Sequence, residues 1–140
     1  MLGKLCLAVI AFPALIVMAA PAFAETVEFA GGPVYGGLAV QKPDSSFAGF
    51  VTCRLFNNGA TAHITARKIF DNTDSAAVLT GDSCGGALHA HKSCSFATKI
   101  TGNLSYTCSF TASPATASIV GVAEMMDFNF NIVNVVPISR

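Results

Sequence analysis

Tryptophan is absent from this 140-residue sequence, and charged residues make up only 11% of it. A core built from such a chain has to come from Phe, Val, Ile and Ala. Lys and Arg number eight and Asp and Glu eight, so there is no excess of positive charge to bind nucleic acid or an anionic membrane. Beyond Ala24 no apolar run reaches the roughly 20 residues that a bilayer-spanning helix needs. There is no Gly-x-Ser-x-Gly elbow and no Cys-x-x-Cys pair, which removes the motifs of a serine hydrolase and of a thiol–disulfide exchanger. Nor does any segment carry a sustained 3.6-residue amphipathic period, which argues against a helical fold. Nothing in the composition implies a cofactor.

What is present begins with a three-part leader. Lys4 is the only charge in a short first region, Leu5 to Ala20 is apolar, and Ala22-Phe23-Ala24 offers small residues where a signal peptidase reads. Residues 1–24 are therefore expected to be a signal peptide, cleaved after Ala24. Pro13 and Pro21 interrupt the apolar run, which counts against a membrane anchor. Cys6 lies too early for lipidation, follows Leu5, and would leave with the leader. The remainder, residues 25–140, suits one domain. Without Lys4, seven Lys and Arg face eight Asp and Glu, a net charge of −1. Its four cysteines, Cys53, Cys84, Cys94 and Cys108, are an even set in an exported chain. That predicts two disulfides in an oxidising compartment, periplasmic or secreted, with three pairings open.

The pattern along the chain has a period of two. In LSYTCSF, Leu104 to Phe110, Tyr106, Cys108 and Phe110 alternate with Ser and Thr. In FVTCRLF, Phe50 to Phe56, Val51, Cys53 and Leu55 share one face in the same way. Further strands are predicted over Glu25 to Ala30, Val34 to Gln41, Ala60 to Phe70 with Ile64 and Ala66 inward, Ala76 to Thr80, Cys94 to Ile100, and Thr116 to Ala123. Gly31-Gly32-Pro33 and Pro43 to Ser46 read as breaks, and Asn57-Asn58-Gly59 as a hairpin turn. Asp127 to Pro137 reads as a closing strand that alternates Phe128, Phe130 and Ile132 with Asn129 and Asn131. About seven to nine short strands separated by turn signals predict an all-β antiparallel sandwich.

Two cysteine strands, a Tyr-x-Cys in the second, the CRLFNNG stretch and the later SCGGALHAHKSCSF carry a resemblance. Residues 50 to 123 resemble an immunoglobulin-like sandwich domain of the kind found in exported bacterial proteins. The sequence departs from antibody-type domains in lacking their buried tryptophan. The resemblance implies an immunoglobulin-like β-sandwich over 25–140, and no single activity. Within such a sandwich the preferred pairing is Cys53 with Cys108 between the sheets and Cys84 with Cys94 as a local clip. On a chain-entropy estimate these would stabilise by about 4 and about 3 kcal/mol. Tyr106 is then expected to play a structural role, with its hydroxyl bonded to nearby backbone.

Candidates for chemistry are few. His89 and His91 would point to one side of an extended segment, and with Met125, Met126 or His63 they suggest a copper site. Cys84 and Cys94 flank them in a Cys-x4-His-x-His-x2-Cys pattern that departs from the usual zinc spacings. Glu124 and Asp127 form a candidate carboxylate pair, for which solvating a strand end is the simpler role. Asn103-Leu104-Ser105 meets the glycosylation sequon. The favoured function is a non-enzymatic structural or protein-interaction module that meets another protein through a sheet edge or the C-terminal strand. The alternative is a small periplasmic metal-binding protein, for copper or zinc, using His89 and His91.

Overall fold

A computed structural model describes residues 25–36, 42, 48–102 and 105–140. The leader with Cys6, most of 37–47, and Asn103 and Leu104 of the sequon lie outside the described residues. Nine strands form among those described: β1 Val27–Tyr35, β2 Phe50–Asn57, β3 Ala62–Asp71, β4 Gly81–Asp82, β5 Gly86–Leu88, β6 Ser93–Lys99, β7 Ser105–Ser113, β8 Ile119–Met126 and β9 Ile132–Ile138. They make two antiparallel sheets, ordered β1-β7-β3-β5 and β4-β6-β2-β8-β9, which pack as an all-β sandwich.

The core follows from strict alternation. Tyr106, Cys108, Phe110 and Ala112 of β7 are buried, while the serines and threonines between them are half-exposed. Val51, Cys53 and Leu55 of β2 are fully buried in the other sheet. A disulfide joins Cys53 to Cys108, with 5.9 Å between their Cα atoms, and so ties the middle strand of one sheet to an inner strand of the other. The Tyr106 hydroxyl accepts a hydrogen bond from the Thr101 N–H at 3.3 Å, which fixes the corner between β6 and β7. Phe29 of β1 stacks on Phe110 with centroids 4.5 Å apart. A second disulfide, Cys84–Cys94, pins the loop between β4 and β5 to the start of β6.

The inner strands have the neighbours of a constant-type immunoglobulin sandwich. β2 lies beside β6, β3 beside β7, and the disulfide crosses from β2 to β7. The flanking strands are exchanged: β8 stands beside β2 where a first strand would run, and β1 stands beside β7 where a last strand would run. Because the chain ends are swapped, β1 and β9 meet. Ala30 and Ser139 exchange two backbone hydrogen bonds of 3.0 and 3.1 Å, closing that side of the sandwich. Gly31 lies beneath this closure, where a Cβ would fall 2.5 Å from the Ile138 Cα.

Several local expectations are corrected. Gly31-Gly32-Pro33 does not end a strand; it is an irregularity inside β1, where the register against β7 shifts between Gly31 and Val34. Ala66 points outward, because a shift between Ile64 and Ala66 reverses the alternation of β3 and brings Ile69 inward instead. Ala76 to Thr80 makes only a single bridge, from Ala76 to Phe70, and the paired residues that follow are Gly81 and Asp82. Phe128 and Phe130 belong to a turn before β9, not to the strand.

Asn57-Asn58-Gly59 is not a hairpin. Both flanks of β2 are already taken by β6 and β8, so the chain crosses to the other sheet. Asn57 is fully buried at this crossing. Its Nδ2 donates to the Ala60 and Leu88 carbonyls at 2.7 and 2.8 Å, and its Oδ1 accepts from the Gly59 N–H at 3.0 Å. Asn57→Ala is expected to cost about 2–4 kcal/mol by stranding those carbonyls. Asn58→Ala, at an exposed neighbour, should stay within about 0.5 kcal/mol. Urea unfolding of the two variants checks the contrast.

Candidate functional site

The outward face of an antiparallel sheet usually meets water and is polar. In the five-stranded sheet the buried residues of β2 leave Phe50, Thr52, Arg54 and Phe56 on the outer side. Register sets them beside Met126, Glu124, Val122 and Val120 of β8. β9 continues the same face with Ile132, Val135 and Pro137. On the other flank β6 adds Ser93, Ser95, Ala97 and Lys99. The face is therefore apolar along β8 and β9 and grades into small polar residues along β6. Of the eight exposed large apolar residues among those described, Phe56, Val120, Ile132 and Val135 lie on it, and Phe128 and Phe130 lie at its end. Only Tyr35 and Val78 are elsewhere, so the exposure is concentrated and not scattered.

One ion pair sits in the middle of this surface. Arg54 Nε and Nη2 donate to the two carboxylate oxygens of Glu124 at 3.3 and 3.1 Å. The Glu124 side chain is 10% exposed and that of Arg54 53%. A partly solvated pair of this kind adds on the order of 1 kcal/mol or less, so it contributes little to the fold. Its chief effect is to leave the centre of the face with no unpaired charge. Beside it, Phe56, Val120 and Val122 border a shallow groove of about 270 Å³.

At the far end, Asp127 organises the turn that carries the two phenylalanines. Its Oδ1 accepts the Asn129 and Asn131 N–H groups at 2.8 and 2.9 Å, and its Oδ2 accepts from Asn131 Nδ2 at 3.0 Å. This turn holds Phe130 at φ +65°, a left-handed conformation uncommon for an aromatic residue. Phe130 stacks on Phe50 with centroids 5.2 Å apart. The Asn131 side chain, and then the Asn131 and Asn129 N–H groups, hold the Asp127 carboxyl below its ordinary value. Glu124 and Asp127 thus serve an ion pair and a turn.

The histidines are placed differently. His63 is exposed on β3 and His89 follows β5, where its Nδ1 lies 3.4 Å from Thr61 Oγ1. His91 takes φ +58° in the turn before β6. Its N–H donates to the carbonyl of Asn57, at one end of β2, whereas Met126 is paired with Phe50 at the other end. Seven residues of strand, about 24 Å, separate the two. Met125 is buried in the core. The methionines and histidines are therefore not brought together. Cys84 and Cys94 are spent in a disulfide, which removes the thiolates from the four-ligand zinc pattern. Among the described residues no group of three or more His, Cys, Asp or Glu is arranged to hold a metal.

At one side of the sandwich Arg67 of β3 pairs with Asp82 of β4, joining the two sheets. Arg67 lowers the Asp82 carboxyl and is itself raised by it. Among the described residues no helix is long and apolar enough to cross a membrane. No family model, no curated protein and no solved structure matches the chain.

Sequence reasoning reads the C-terminal half of 127–137 as apolar on both faces but misses the continuous outer face, because joining it to β8 and β2 takes their register. The available signal was that β8 and β9 are apolar at both parities. The turn at its end has a pH signature. Asp127 is depressed when folded, so the order it confers is present above the unfolded carboxylate value of about 3.9 and lost as pH falls through the lower folded value. NMR signals of the Phe130 ring are expected to move toward unstacked positions below that range. Asp127→Asn should flatten the response.

Proposed function

We propose that the protein is an exported, non-enzymatic module, structural or protein-binding, which makes contact through the outward face of its five-stranded sheet. The observation that carries this reading is the apolar surface along β8 and β9 with its charges already paired. Residues that are exposed, apolar and contiguous on a rigid sheet are what a protein interface uses. Two disulfides support an oxidising compartment, and the leader pattern of Lys4, the apolar run and Ala22-Phe23-Ala24 supports export to the periplasm or beyond. The C-terminal strand enters this reading through its face, with Ile132, Val135 and Pro137, because Ala30 of β1, paired with Ser139, occupies part of its edge.

A photo-crosslinking amino acid placed singly at Val120, Val135 and Lys68, in the full-length chain expressed in an exporting cell, tests the reading. Lys68 is exposed on β3 of the other sheet. Adducts of raised mass at Val120 and Val135 and none at Lys68 are expected. Adducts at none of the three, or equally at all of them, would contradict it.

A further inference from the structure

We propose that the occupant of the outer face is a second copy of this chain, giving a weak two-fold dimer in which the five-stranded sheets pack face to face. This rests on the interaction reading above and gives it a partner. Arg54 and Glu124 lie on β2 and β8, the middle strands of the β6–β9 surface, and they face each other across it. A two-fold axis lying in the interface and passing between these two side chains sets Arg54 of each protomer over Glu124 of its partner. Two partly solvated pairs then become one network of four alternating charges, excluded from water and fully matched. The same operation brings Val120 and Phe56 of each copy toward Val135 of its partner, while Ile132, on the diagonal that runs through Glu124 and Arg54 to Ser93, falls over the partner's Ser93.

Other occupants fit the surface less well. A lipid surface offers nothing to Arg54 and Glu124 once they lose water, and interfacial binding to anionic lipid wants a basic rim that a chain of net charge −1 after Ala24 does not supply. Strand addition at β9 meets the Ala30–Ser139 closure. An unlike protein would normally be selected by unpaired charge at the centre of the face, and there Arg54 and Glu124 already satisfy each other.

Area sets the strength. Four strands spaced by about 4.8 Å, with about eight residues rising about 3.4 Å each, cover about 500 Å² per copy. Roughly 1,000 Å² in total lies at the low end of specific interfaces, so a dissociation constant on the order of micromolar or weaker is expected. Two sheets stacked about 10 Å apart are the ordinary geometry of sandwich packing, so no rearrangement of the protomer is needed.

Sedimentation equilibrium on the purified exported protein, from low micromolar to near millimolar concentration, reads the dimer directly. Three variants decide its geometry. R54E alone puts two acids on each face, E124R alone puts two bases there, and each should be monomeric. Mixed in equal amounts they should form a heterodimer close to wild type in affinity, because each new acid at position 54 then meets a new base at position 124. Glu124 is largely covered, so circular dichroism of E124R is taken first. If that variant does not fold, V135K decides, since Val135 is exposed and lysine there is tolerated by the monomer. V135K should raise the dissociation constant by about tenfold or more with an unchanged melting temperature. A wild-type protein that stays monomeric throughout, a mixture that fails to associate, a V135K dimer as tight as wild type, or an assembly larger than two would each overturn the proposal. The interaction reading fails separately: crosslinks at Val120 and Val135 to a product of another mass sink the dimer alone, whereas no crosslinks there sink both.

Discussion

The covalent link between Cys53 and Cys108 is the constraint from which the rest of this sandwich follows. It fixes which face of β2 and which face of β7 point inward. A strand has a period of two, so that choice settles the direction of every side chain along both strands. Register then passes it on, from β2 to β6 and β8 and from β8 to β9 in one sheet, and from β7 to β1 and β3 in the other. The Tyr106 hydroxyl and Thr101 N–H anchor the turn that delivers β7 to its place. The make-up of the outer face is thus a consequence of the inner one: with Cys53 inward, Arg54 and Phe56 have to face out.

Swapping the chain ends between the sheets has a second consequence. With β1 beside β7 and β9 beside β8, the two terminal strands meet and seal one side through Ala30 and Ser139. On the opposite side the short passage from β4 to β5 crosses between sheets and is clipped by Cys84–Cys94. Edges blunted in these ways discourage indiscriminate strand pairing. The apolar outer face, by contrast, is open, and the proposed association is placed there. On that proposal, stability and contact are supplied by opposite faces of the same sheet.

Much of the architecture was legible in residues whose information is local. Tyr106-x-Cys108 and the alternation around Cys53 identified inner strands because a half-buried strand writes its burial into every second residue. Errors arose where a neighbour overrode the local signal. Asn57-Asn58-Gly59 has hairpin chemistry, yet the chain cannot fold back on β2 when both of its flanks are occupied. Ala66 was assigned inward by counting twos from Ile64, a count that the register shift between them invalidates. Phe128 and Phe130 alternate with Asn129 and Asn131, but the Asp127 carboxylate gathers that stretch into a turn. The ion pair of Arg54 and Glu124 joins residues 70 positions apart and leaves no local trace at all. That pair, and the face around it, required the register of β2 with β8.

Native-state hydrogen exchange on the oxidised protein, at a concentration low enough to keep it monomeric, tests the central claim that stability is concentrated around the inter-sheet link. The slowest amides are expected in β2 near Cys53 and in β7 near Cys108, exchanging only on global unfolding, with β9 opening earlier. If the slowest amides instead clustered in β8 and β9, the outer strands would be the centre of the fold and the division of labour between the two faces of the sheet would not hold.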